Sequence, residues 1–244
     1  MEFIENIKSC LDYEELFIFI LPIICMISSQ IGSLDKFFSG GLQNGIITEI
    51  SGLRGTGKTH LALQFAIEVL SKNDKVLFID TTVEFRPERF LQMLQSRNLS
   101  SSLLENLHIS HVTDTQKQID VLEHFQNNHF SLLIIDNITD LFSFEYSKKE
   151  HIIEKNVNFG NYMIKLSKLT QSNNIPVIIT NQVLSHDDIS YQRMHIQLEN
   201  YVHQKIQLEK IKKWYTCKVS SPFIFDAKFD YKITNSGIEE TESI

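Results

Sequence analysis

Apolar positions along the chain alternate between two rhythms. The run Ile46-Ile47-Thr48-Glu49-Ile50 predicts a strand; after a glycine-rich turn, Leu61, Ala62, Phe65, Ala66, Val69 and Leu70 recur at three- and four-residue spacing, which predicts a helix packed on a sheet. Lys75-Val76-Leu77-Phe78-Ile79-Asp80 reads as a buried strand, followed by a helix over Pro87 to Arg97 with its proline near the start. The alternation continues with a short strand at Leu107 to Ser110, a helix from Gln116 to Phe125, and the strand Ser131-Leu132-Leu133-Ile134-Ile135-Asp136, apolar on both faces as central parallel strands are. A helix over Asn158 to Thr170 leads into a strand from Ile175 to Thr180. Beyond Gln182 the runs shorten to Lys205–Glu209, Trp214–Val219 and Phe229–Thr234, whose near alternation predicts antiparallel strands at the sheet edge. The implied fold is α/β: a mainly parallel sheet with helices on both faces and antiparallel strands at its C-terminal edge.

A length of 244 residues suits one such domain with a sizeable core and short appendages. The organisation expected is an N-terminal interaction segment over 1–30, a core over 31–238 and an acidic tail over 239–244 that frays. The apolar run from Leu16 to Ile27 invites a targeting reading, but Glu2, Glu5, Asp12, Glu14 and Glu15 outweigh Lys8 ahead of it. The run also falls short of the ~20 residues that span a bilayer, so no membrane role is expected. A segment that packs on the domain, or adds itself as a strand to a neighbouring subunit, fits better. Cys10, Cys25 and Cys217 are scattered and form no C-x-x-C pair, which argues for reduced thiols rather than a disulfide or zinc site. A formal net charge of −7 repels nucleic acid overall, so DNA binding has to come from a local patch or a partner.

The strongest chemical signal is Gly52-Leu53-Arg54-Gly55-Thr56-Gly57-Lys58-Thr59, a complete G-x-x-x-x-G-K-T phosphate loop between a strand and a helix. Its glycines let consecutive N–H groups turn toward the β- and γ-phosphates, Lys58 supplies a mobile cation, and Thr59 offers a hydroxyl to Mg²⁺. The start of the following helix adds its positive end. The ligands expected are ATP and Mg²⁺. Asp136, at the C-terminal end of an apolar strand, fits the carboxylate that holds Mg²⁺ through water; an N-cap or turn aspartate is the bland alternative. Gln182, ending the next strand, is placed to sense the γ-phosphate, or simply to make a turn with Asn181.

These residues resemble a known family. Gly32-Ser33-Leu34-Asp35-Lys36, Gly40-Gly41-Leu42 and Ile47-Thr48-Glu49-Ile50 ahead of the phosphate loop look like the ATPase core of the RecA/RadA-type recombinases. Phe85-Arg86-Pro87-Glu88-Arg89 and Ile178-Ile179-Thr180-Asn181-Gln182-Val183 are similar to further signatures of the eukaryotic and archaeal branch, and the resemblance covers roughly residues 30 to 235. Gly32-Ser33-Leu34-Asp35-Lys36, Phe90-Leu91-Gln92-Met93-Leu94-Gln95 and Ile119-Asp120-Val121-Leu122 look most like the D-type paralogue of the eukaryotic recombinase. The resemblance implies a RecA-like fold, Arg89 stacked on adenine, and a nucleotide held at a subunit interface, where Ser220-Ser221-Pro222 would cap a neighbour's ATP.

Two departures from the family pattern stand out. Thr82 occupies the position of the glutamate that aligns the attacking water, and threonine cannot take up that proton; Glu84 is the nearest substitute. Hydrolysis is therefore expected to be weak, with ATP acting mainly as an assembly ligand. The resemblance also leads one to expect a small helical DNA-binding domain ahead of the core, which residues 1–30 are too few to form.

By resemblance, single-stranded DNA faces two loops. One, about Phe142 to Val157, carries Lys148, Lys149 and Lys155 among Glu145, Glu150 and Glu154, and the other, after Gln182, carries Arg193 against Asp187 and Asp188. Neither is a basic groove of the kind that tracks a backbone. Lys205, Lys210, Lys212, Lys213 and Lys218 around Trp214 suit either a DNA contact or an edge strand guarded against aggregation. The expected role is a nuclear accessory paralogue that works in a heteromer with other paralogue subunits and the recombinase filament on single-stranded DNA in homologous-recombination repair. A freestanding phosphate-loop ATPase or kinase and an archaeal-type accessory recombinase are the alternatives.

Overall fold

The computed structural model describes residues 26–125, 129–186, 189–192, 194–221 and 224–241. The segment 1–25, with most of the apolar run and Cys10 and Cys25, lies outside them, as do Asp187, Asp188, Arg193 and Pro222.

The helices and strands follow in order. A short helix α1 (Gly32–Phe37) precedes β1 (Ile47–Gly52), α2 (Lys58–Ser71), β2 (Val76–Asp80) and α3 (Pro87–Ser96). Then come β3 (Leu107–His111), α4 (Thr115–His124), β4 (Leu132–Asp136), α5 (Asp140–Glu145) and α6 (Ile152–Asn173). The C-terminal part holds β5 (Val177–His186), β6 (Ile189–Gln192), α7 (His195–Glu199), β7 (Gln204–Ile211), β8 (Trp214–Ser221), β9 (Ile224–Ile233) and β10 (Ile238–Glu240). The sheet order is β10-β9-β8-β7-β1-β5-β4-β2-β3, with β6 paired to β5. From β3 to β7 neighbours run parallel, and from β7 to β10 antiparallel. Ligands of open parallel sheets gather beyond the strands' carboxyl ends, so this order sets the site outside β1, β4 and β5.

Both faces of the central strands are covered, which is why they read as unbroken apolar runs. Leu132 and Ile134 pack with α2 and α3 residues such as Phe65 and Phe90, whereas Leu133 and Ile135 face Phe159, Tyr162 and Met163 of α6. Cys217 is free and buried, and burial pushes its thiol up. No helix among the described residues is long and apolar enough to cross a membrane.

Several elements differ from the sequence-based expectation. The loop expected over Phe142 to Val157 is largely helical, comprising the end of α5, a 3-10 turn at Lys149–His151 and the first turn of α6. That turn sends Ile152, Ile153 and Val157 into solvent, so no core-facing periodicity announces it. β5 runs through Gln182 to His186 and folds back on β6 instead of ending at Thr180. β7 is not wholly antiparallel, because β1 pairs with it in parallel. The lysine-rich β7–β8 hairpin lies between β1 and β9, so its lysines guard no sheet edge; among the described residues the edges are β3 and β10. Glu239 and Glu240 sit in β10 rather than in a frayed tail. Glu239 accepts from Thr234 Oγ1 (2.8 Å) and Ser236 Oγ (2.6 Å), and Glu240 accepts from the Ser33 backbone N–H (3.1 Å).

Candidate nucleotide site

β1 delivers the chain to the phosphate loop and α2 carries it away. Glycine is required at two loop positions for different reasons. A Cβ at Gly52 would lie 2.3 Å from the Leu208 carbonyl oxygen on β7, and Gly57 holds φ 96°, in the left-handed region where side chains are strained. The Thr56 hydroxyl donates to the Leu53 carbonyl (2.8 Å), and Tyr231 Oη of β9 donates to the Thr56 carbonyl (2.6 Å), which fixes the loop against the sheet.

Beside the loop opens a cavity of about 480 Å³, lined among others by Arg54, Lys58, Thr59, Arg89, Asp136 and Gln182. Lys58 Nζ donates to the carbonyls of Gly52 (3.1 Å) and Leu53 (2.9 Å). Thr59 Oγ1 donates to Asp136 Oδ2 (2.6 Å), and Thr180 Oγ1 donates to the other carboxylate oxygen. Burial pushes the Asp136 carboxyl up, against the pull of the Thr180 and Thr59 hydroxyls and of Lys58. Burial likewise pushes the Lys58 ammonium down, against the pull of Asp136. Each charged form is thus short of compensation, which a divalent cation beside Asp136 and an anion beside Lys58 would supply. Among the described residues no group of three or more His, Cys, Asp and Glu could hold a metal ion. The donor set therefore fits Mg²⁺ only in the way phosphate-loop sites hold it, with few protein oxygens, here Thr59 and Asp136, and the rest from phosphate and water.

Arg89 lies on the cavity wall with its guanidinium engaged: Nε donates to His60 Nε2 (2.7 Å), Nη2 to the Thr234 carbonyl, and Nη1 to Gln92 and to Asn235 Oδ1 (3.4 Å). His60 carries no motif signal, and only the fold reveals it. Burial, then Arg89, pushes its imidazole down to about 4 from an ordinary 6.5. The folded chain therefore refuses a proton that the unfolded chain accepts, so stability is lost as pH falls from 6.5 toward 4. His60→Gln should flatten that part of the pH profile of thermal unfolding; an unchanged slope would exclude His60 as its source.

Thr82, after β2, donates from Oγ1 to Asp80 Oδ1 (3.0 Å). Buried Asp80 also accepts from the backbone N–H groups of Thr82 and Phe85 (both 3.0 Å), so it shapes the loop that carries Thr82. Glu84 reaches the same cavity, but its Oε1 is paired with Arg54 Nη2 at 2.8 Å. Gln182 lines the cavity, while Asn181 beside it donates to Glu49 Oε1 (3.0 Å) and accepts from Thr139 Oγ1 (3.0 Å). Glu49 is buried, and burial raises its carboxyl; the sequence marks it as part of the β1 run, and its pairing with Asn181 is visible only in the fold.

Of the DNA candidates among the described residues, Lys148 and Lys149 do not line this cavity. Lys148 and Lys149 lie on the exposed α5–α6 connection, Lys148 with its Nζ 3.9 Å from Glu150. Ser220 and Ser221 end β8, beside Glu199 and His203 and away from the phosphate loop.

A sequence profile of the Rad51 family matches residues 22–241. The chain is 30% identical over 230 residues to the DNA repair and recombination protein RadB of Thermococcus sibiricus, covering 90% of this chain and 97% of that protein. It is 27% identical over 229 residues to the DNA repair and recombination protein RadA of Metallosphaera sedula (86% and 71%). RadA of Methanococcus voltae is 26% identical over 243 residues (88% and 76%). With the cavity at the end of β1 and a match running across nearly all the strands that build it, the chain belongs to the Rad51 family.

Proposed function

We propose that this chain is an ATP-binding accessory recombinase paralogue in homologous-recombination DNA repair, most like the eukaryotic D-type. It acts in the nucleus as one subunit of a heteromer that promotes or stabilises recombinase filaments on single-stranded DNA. One observation carries the reading: Lys58, Thr59, Asp136 and Gln182 share one cavity, while the water-aligning position holds Thr82. Such a site retains phosphate and cation and lacks the base, so binding outlasts chemistry. The loop holds the β- and γ-phosphates through its N–H groups and Lys58, Thr59 and Asp136 hold Mg²⁺, and Arg89 faces the adenine. The cation supplies charge neutralisation on the phosphates. DNA contact by this chain alone is weak, since Lys148 and Lys149 stand among acidic neighbours on a chain of net charge −7.

The 30% identity to RadB over nearly all of that protein favours a second reading, an archaeal-type accessory recombinase protein. Both readings make assembly depend on ATP. Native mass measurement of the chain co-purified with its partners should show a multisubunit species with MgATP that dissociates without it. A monomer in both states would overturn the assembly role.

A further inference from the structure

We propose that the Arg54 side chain distinguishes ATP from ADP by contacting the γ-phosphate, and that Glu84 is its partner when that phosphate is absent. This rests on the reading of Gly52 to Thr59 as an ATP site and concerns what a loop side chain adds to it.

Three observations place Arg54 at the γ end. Lys58, whose motif role is to reach the β- and γ-phosphates, rests on the carbonyls of Gly52 and Leu53, and Arg54 is the next residue along. Arg54 and Glu84 both line the cavity that contains Lys58, Asp136 and Gln182. A Cβ at Gly55 would meet nothing within 4 Å, so the chain beside Arg54 borders open space and the guanidinium has room to turn.

The present pairing is easy to exchange. The 2.8 Å bridge between Arg54 Nη2 and Glu84 Oε1 joins side chains that are 81% and 61% exposed, and exposed pairs contribute little. A terminal phosphate carries more charge than one carboxylate and accepts two parallel N–H bonds from a guanidinium fork. Arg54 therefore leaves Glu84 for the γ-phosphate. The terminal phosphate of ADP is the β, which stays with Lys58 and the loop N–H groups; no phosphoryl group stands at the γ position, and the bridge stays closed. The Glu84 carboxylate is thereby released only in the ATP state. Glu84 is thus held by Arg54 in the ligand-free chain, and its carboxylate is free to take up a proton only once ATP is bound.

Calorimetric titration with MgATP and MgADP separates the possibilities. Arg54→Ala should weaken MgATP about tenfold while MgADP stays within about twofold, the range expected for one partly exposed charge-assisted contact. Glu84→Gln, which removes the competing carboxylate, should tighten MgATP about threefold and leave MgADP unchanged. The double variant should match Arg54→Ala. Equal losses for both nucleotides in Arg54→Ala, or no gain in Glu84→Gln, would overturn the sensor and leave the ATP site standing. Failure of the unaltered protein to bind either nucleotide would remove the site itself and the sensor with it.

Discussion

Lys58→Ala should lower MgATP affinity about 100-fold with no loss of folding stability. Hydrogen bonds to charged groups contribute about 1.5–3 kcal/mol each, and each ~1.4 kcal/mol is tenfold in affinity, so loss of one half-buried ammonium proposed to meet phosphate falls near that figure. The expectation about stability follows from what Lys58 touches in the ligand-free chain. Its Nζ meets two loop carbonyls, and burial already disfavours its charged form. Removal thus costs the ligand-free fold two hydrogen bonds but relieves an ammonium that burial penalises. Titration calorimetry gives the affinity directly. Thermal unfolding gives an independent check: at about 100-fold excess over its dissociation constant a ligand stabilises by about 2.7 kcal/mol, and at the same concentration this increment should fall to about 0.4 kcal/mol in the variant. Partner association should fall in parallel, because the nucleotide is proposed to gate the interface. A variant that binds MgATP within about threefold of the unaltered chain, well short of the loss expected for a charged contact, would show that the loop does not use its lysine.

What can be read in the chain is whatever is local. The phosphate loop is one contiguous spacing, and Asp136 ends a run whose apolarity on both faces already marks a central strand. The hidden parts are pairings across distance. Arg54 with Glu84, Arg89 with His60, Tyr231 with Thr56, and Asn181 with Glu49 each join residues that no periodicity relates. β10 shows the same effect in secondary structure. The paired acids Glu239 and Glu240 suggest fraying only while their partners are unknown, and here the Ser236 and Thr234 hydroxyls, with Lys232, hold the Glu239 carboxyl down at about 2. The direction of β7 is hidden for the same reason, since its parallel neighbour β1 lies far upstream in the chain.

Thr82→Glu should raise ATP turnover about 100-fold, the lower end of the roughly 10²–10⁴ that a positioned general base contributes. The loop that carries position 82 should survive the change. Asp80 fixes it through the backbone N–H groups of Thr82 and Phe85, and both bonds remain when the Thr82 hydroxyl and its 3.0 Å contact with Asp80 are gone. Position 82 lines the same cavity as Lys58, Asp136 and Gln182, so a longer side chain reaches toward the proposed phosphate site. The lower end of the range applies because alignment tolerates little misplacement and Val83, next in the chain, holds φ 56°, a strained conformation for a β-branched residue. The introduced carboxylate acts only when ionised. Turnover should therefore be flat near neutral pH and fall in acid, below a glutamate pKa of about 4.3. MgATP affinity should change little, because the base acts on water rather than on the nucleotide. Single-turnover hydrolysis measures the gain, and Thr82→Gln, which matches the size without the base, should show none. Equal rates in the two variants would assign the gain to packing. No gain in either, with MgATP still bound, would show that the slow step lies outside position 82.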